Sequence, residues 1–158
     1  MLQPLRFVMT TMQTIQVEAA ALQQQMVALV RAFGLHQPDQ TPCGQPVPVA
    51  EAHALQELAR AEPLAQRDLA ARLRLEKSTV SRLVAQLEDK GWVVRDRSST
   101  DARVLLLRLT AEGRRMTEQI AAARQMRFAK LLAAIPEEQR AEVVAALTTL
   151  VEAIDATR

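Results

Sequence analysis

The feature that most constrains this chain is a change of apolar period between Val80 and Leu109. Val80, Leu83, Val84 and Leu87 stand at i, i+3, i+4 and i+7, the spacing of one buried helix face. Gly91 follows where a helix closes with a left-handed residue. Two short segments rich in branched apolar residues come next, Trp92–Asp96 and Val104–Leu109. Between them lies the polar, turn-prone stretch Arg97–Arg103. The pattern predicts a helix from about Ser78 to Lys90, with Ser78 as its N-cap, then a β-hairpin. Upstream, Leu69 and Leu73 lie one turn apart and predict a short helix over Ala65–Leu73, with a break at Arg74–Lys77.

The flanks read as helices. Ile15, Leu22, Met26, Leu29 and Phe33 form one face of a long first helix that stops near Gly34. Pro38, Pro42, Gly44, Pro46 and Pro48 forbid a continuous helix and predict an extended connector over 35–48. A helix over Val49–Ala61 turns Ala54, Leu55 and Leu58 inward, and Pro63 ends it or starts the following one. Thr110 is placed to cap a long helix, Ala111–Ile135, which Pro136 breaks. Pro136, Glu137 and Glu138 then start a last helix, striped by Val143, Leu147, Leu150 and Ile154. The expected class is mainly α with one small hairpin, in a chain of 158 residues that suits a single domain.

Charge is distributed unevenly. Residues 67–108 hold ten Lys or Arg against six Asp or Glu, while the whole chain carries only +2. A basic centre between mildly acidic flanks suits a polyanion-binding unit on a scaffold, against the competing reading of a chance excess. On the helix, Lys77, Ser78, Thr79, Ser81 and Arg82 oppose the apolar face. Short hydroxyls and long cations at a helix start suit entry into a DNA major groove, with Arg able to pair bidentately with guanine. The hairpin adds Arg95, Arg97 and Arg103, with Asp101 placed to brace a neighbouring Arg. An Arg at such a tip suits an A·T-rich minor groove. A solvated helix face and a solvated turn are the plainer alternatives.

Other functions find little support. Gly34, Gly44, Gly91 and Gly113 lie too far apart for a phosphate loop. No Gly-x-Ser-x-Gly, HExxH or CxxC motif occurs, so no enzyme and no cofactor are expected. Tyr is absent and the three Phe and one Trp give few stacking platforms for single-stranded RNA. Trp92 is better placed to anchor the base of the hairpin. A lone cysteine, Cys43, allows no intramolecular disulfide. No apolar run reaches the ~18 residues of a membrane span. Polar residues from Thr10 onward break any secretory core, so a cytoplasmic address is expected.

The stretch Leu64–Gly113 resembles the DNA-binding core of the MarR (multiple-antibiotic-resistance repressor) family. The resemblance is carried by Leu69–Ala70, Ser78–Val84, Leu87 to Val93, Arg95 with Asp101–Arg103, and Leu109–Gly113. It implies a winged helix-turn-helix within one domain over 1–158. Residues 1–48 would be the N-terminal dimerisation helix and connector, 49–109 the DNA-binding lobe, and 110–158 the C-terminal dimerisation helices. The implied partners are a second copy of the chain and a pseudo-palindromic double-stranded operator. Lys77, Ser78, Thr79, Ser81 and Arg82 would belong to the recognition helix. Arg103 would be the wing-tip minor-groove residue braced by Asp101, and Arg95 and Arg97 would contact the DNA backbone or support the wing. The family implies a repressor, often released by a small aromatic molecule bound between the dimer helices and the DNA-binding lobe. The rival is a winged-helix protein–protein module that does not bind DNA.

Cys43 and His53 are the candidate sensor residues, with Glu51 and His36 near them in sequence. A thiolate, a carboxylate and imidazoles suit Zn²⁺ or Cu, but their spacing matches no metal signature, so no metal is expected. Thiol sensing requires a cation close to Cys43.

Overall fold

The computed structural model describes residues 3–97 and 104–157, with the backbone alone for residues 3–12. Its elements run α1 Gln3–Phe33, α2 Val49–Arg60, β1 Leu64–Ala65, α3 Gln66–Leu73, α4 Lys77–Asp89, β2 Val93–Arg97, β3 Leu105–Leu109, α5 Ala111–Ala133 and α6 Arg140–Ala156. A single 3-10 turn, Glu137–Gln139, follows Pro136 and leads into α6. The chain divides into two compact units, Met1–Ala50 and Glu51–Arg158.

In the first unit, α1 begins at Gln3, well before the apolar stripe, and closes at Gly34 (φ +84°). There the Gly34 and Leu35 amides donate to the Val30 carbonyl at 3.1 and 3.0 Å. Ile15, Leu22 and Leu29 are exposed along it. The connector is not uniformly extended as its prolines suggest. Thr41 closes it into a compact turn: its amide donates to the Gln45 carbonyl at 2.9 Å, and its buried hydroxyl accepts from the Gln45 amide at 3.0 Å. Gly44 supplies the left-handed residue (φ +82°) that lets the chain reverse. Proline density signals the absence of helix but not the side-chain bond that folds the segment.

In the second unit, α2, α3, α4 and a three-stranded sheet enclose Leu55, Leu58, Leu69, Val80, Val84, Leu87, Val93 and Leu107, all essentially inaccessible to solvent. The sheet order is β1-β3-β2, antiparallel throughout, with Val93 opposite Leu109 and Arg97 opposite Leu105. Strand β1 pairs Leu64 with Leu107 and Ala65 with Leu106. A strand of two residues is shorter than any period, so sequence reading misses it. The turn between α3 and α4 places Arg74 in the left-handed region (φ 56°).

Helix α4 starts one residue earlier than its sequence suggests. Glu76, in extended conformation, is the N-cap, and Ser78 lies inside the first turn. The reason is backbone pairing: the Val80 amide reaches the Glu76 carbonyl at 3.0 Å, and no side chain caps the end. At the other end Gly91 (φ +70°) and Trp92 donate to the Glu88 and Leu87 carbonyls at 2.8 and 2.9 Å, closing the helix. Thr110 caps α5 as its position suggests, accepting from the Gly113 amide at 3.0 Å. Gly113 sits hard against the Trp92 carbonyl, where a Cβ would overlap backbone.

Candidate nucleic-acid interface

Helix α4 sorts its residues by face. Val80, Leu83, Val84 and Leu87 are buried in the second unit, and that burial turns Lys77, Ser78, Ser81 and Arg82 to solvent. Thr79 is half-buried. All five sequence-derived residues therefore lie on the first turn and a half of one helix, where unpaired backbone N–H groups also favour an anion.

The cations around this face differ in their partners. Arg72 pairs with Glu57, Arg108 with Asp96, Arg114 with Glu62 and Lys90 with Glu51. Arg74 meets Asp155 through both guanidinium nitrogens, and this raises its already high pKa, chiefly by the hydrogen bond. Lys77, Arg82 and Arg97 make no ion pair with a described residue. Among the described residues, cations without an ion-pair partner thus mark the start of α4 and the end of β2.

Arg95 has a different position from Arg97. Its Nε lies 2.9 Å from Glu88 Oε2, and its Nη2 donates to the Ser81 carbonyl at 3.4 Å. Both partners are on α4, so Arg95 fastens the hairpin to that helix. Arg97 is exposed at the end of β2. Asp101 and Arg103, expected at the hairpin tip, lie outside the described residues.

The sequence matches the MarR family model over residues 45–104, which takes in α2, β1, α3, α4 and β2 and stops before β3. This central segment of the chain is thus similar to the MarR family. It is 34% identical over 83 residues to the HTH-type transcriptional regulator YdgJ of Bacillus subtilis (strain 168), covering 52% of this chain and 51% of that protein. The chain thus spans about half the length of this curated relative. Its fold is similar to that of Streptococcus pneumoniae FabT, solved in complex with DNA, at 22% identity and a TM-score of 0.66, covering 92% of this chain and 99% of that one. It is similar too to the PcaV transcriptional regulator of Streptomyces coelicolor, solved with its natural ligand, at 24% identity and a TM-score of 0.62, covering 86% and 90%. The fold of this chain is therefore the winged helix of these regulators, and its central segment is similar to the MarR family.

The remaining candidates sit apart from the start of α4. Cys43 is half-buried in the connector, its Sγ 2.9 Å from the Thr41 hydroxyl. His53 is exposed on α2, and its imidazole is held below the ordinary pKa by partial desolvation and then by Arg124, against the pull of Glu57. Glu51 is taken up by Lys90. Among the described residues no three of His, Cys, Asp and Glu gather as a metal site. No described helix is long and apolar enough to cross a membrane.

Two long-range contacts escaped sequence reading. One is the Glu51–Lys90 pair, whose members stand 39 positions apart. The other is Glu62, which accepts from the Leu109 amide at 2.9 Å and from Arg114 at 2.5 and 2.9 Å, tying the end of α2 to β3 and α5. No spacing rule links residues so distant. A cavity of about 380 Å³ between α2 and α5 is also invisible in the sequence. Ala52, Ile120, Ala121 and Phe128 form its apolar wall, and Gln56, Thr117, Arg124 and Gln125 add polar groups.

Proposed function

We propose that the chain is a homodimeric, sequence-specific reader of double-stranded DNA that represses transcription and is released by a small molecule. The observation that carries this reading is α4: an apolar face locked into the core, with Lys77, Ser78, Ser81 and Arg82 left exposed. Such a helix enters a major groove by its N-terminal half, and Ser78, Thr79, Ser81 and Arg82 reach phosphates or base edges. Arg97, Arg103 and Asp101 serve the wing, with Arg103 in the minor groove and Asp101 as its brace.

The dimer is supported by apolar side chains that one chain leaves uncovered: Ile15, Leu22 and Leu29 on α1, and Val144, Leu147 and Val151 on α6. A two-fold dimer implies a pseudo-palindromic operator with half-sites about one helical turn apart. The cavity between α2 and α5 supports a small aromatic signal, since its apolar wall carries a few converging polar groups.

Footprinting of the genomic duplex upstream of the gene, followed by binding across a salt series, tests the reading. Affinity is expected to fall steeply as salt rises, because phosphate contacts release counterions. Arg82→Ala is expected to cost roughly 1–3 kcal/mol of binding while the dimer survives. Salt-independent association, or no binding to the duplex at low salt, would refute the DNA role. Repeating the titration with phenolic acids tests the release.

A further inference from the structure

The joint between α4 and β2 is held from two sides. Glu51, near the start of α2, is only 3% exposed, and its Oε2 lies 2.5 Å from Lys90 Nζ. Lys90 is the residue that ends α4, and its ammonium also stands 5.0 Å from the centroid of the Trp92 ring. On the other side, the Thr110 amide donates to the Trp92 carbonyl at 3.0 Å, and the Thr110 hydroxyl to the Gly91 carbonyl at 2.7 Å. Gly113 lets α5 press against the same Trp92 carbonyl. Residues 90–92 are thus gripped by α2 and by the start of α5, the two helices that wall the cavity.

A carboxylate so deeply buried is costly without a partner. Lys90 is half-exposed and reaches back over Trp92 to supply one, which obliges the end of α4 to stay within one side chain's length of α2. An ion pair resists displacement in a way that apolar contact does not, because separation strands the buried charge. We propose that Glu51 and Lys90 are positioning residues for DNA reading: their pair lets α2 set the attitude of α4 and the wing, without either side chain touching DNA. The proposal rests on the DNA-reading function above. It adds how the cavity communicates with the interface. A molecule that moves α2 against α5 shifts the joint, and with it the helix that enters the groove.

The test uses the full chain and the duplex that the wild-type protein protects. Affinity over a salt series, thermal midpoint and the emission of Trp92, the one tryptophan of the chain, are compared for wild type, Lys90→Arg, Glu51→Gln and the double variant Glu51→Leu/Lys90→Met. The double variant is expected to keep its thermal midpoint, since an apolar pair replaces a buried ion pair at little cost. It is expected to bind about tenfold more weakly, within the range for residues coupled to a site through packing. Its salt slope stays at the wild-type value because no phosphate contact is removed. Trp92 emission shifts as the ammonium leaves the ring, and Lys90→Arg stays near wild type. Should the double variant fail to fold, the isosteric Glu51→Gln decides by the same readouts. Wild-type affinity in a folded variant overturns the proposal. So does a salt slope reduced by about one, which would place Lys90 on a phosphate. A wild-type protein that ignores duplex DNA instead refutes the DNA function itself, and is seen before any variant is made.

Discussion

Arg95 and Arg97 show how one residue type takes two roles two positions apart. In an antiparallel strand they share a face, yet Arg95 lies against α4 between Glu88 and the Ser81 carbonyl, while Arg97 is exposed at the end of β2. Arg95→Ala is therefore expected to lower stability by about 1 kcal/mol, the usual worth of a half-buried pair, with the salt slope of DNA binding unchanged. Arg97→Ala should do the opposite, reducing the slope by about one and leaving urea unfolding untouched. Equal effects in both assays would show that the two side chains are equivalent. His53 has its own signature. Its folded pKa is depressed, so the unfolded chain binds the proton more readily. Stability is expected to fall as pH drops through the unfolded value near 6.5, and His53→Gln should flatten that part of the pH–stability curve.

At the scale of elements, the junction of α5 with the hairpin is decided by one missing methyl group. Glycine inside a helix ordinarily costs about 1 kcal/mol relative to alanine. Gly113 should thus be improved by Ala, and α5 would accept it on propensity alone. The Trp92 carbonyl reverses the sign, because a Cβ there meets backbone that cannot swing aside. Gly113→Ala is expected to destabilise by about 2 kcal/mol in urea unfolding, within the range for overpacking. A stabilised variant would mean that α5 stands further from Trp92. The same closeness brings the Thr110 amide to Trp92, so the wing base and the start of α5 form one unit.

At the scale of the molecule, the apolar surface is the outstanding fact. Val143, Val144, Leu147, Val151 and Ile154 on α6 all remain exposed, and no residue of α6 is buried. Covering such side chains against a second copy contributes about 1.5–3 kcal/mol each when burial is complete. For the proposed dimer, Leu147→Glu/Val151→Glu is expected to shift sedimentation toward monomer and to weaken operator binding together, since the two proposed half-sites are then no longer linked. A charged variant that stays dimeric would place the interface elsewhere.

The elements that the sequence determined by itself are those whose cause is local. The buried stripe of α4, the stop at Gly91, the cap at Thr110 and the break at Pro136 each follow from spacing or from one residue's backbone preference. The basic, hydroxyl-bearing face of α4 was legible for the same reason, because its position is the complement of the apolar stripe. Tertiary structure decided what depends on partners far along the chain. It added β1, drew Arg95 away from the wing surface, paired Glu51 with Lys90 and Glu62 with Arg114, and opened the cavity between α2 and α5. Charge pairing and enclosed space are properties of atoms brought together from distant positions, and no local period records them.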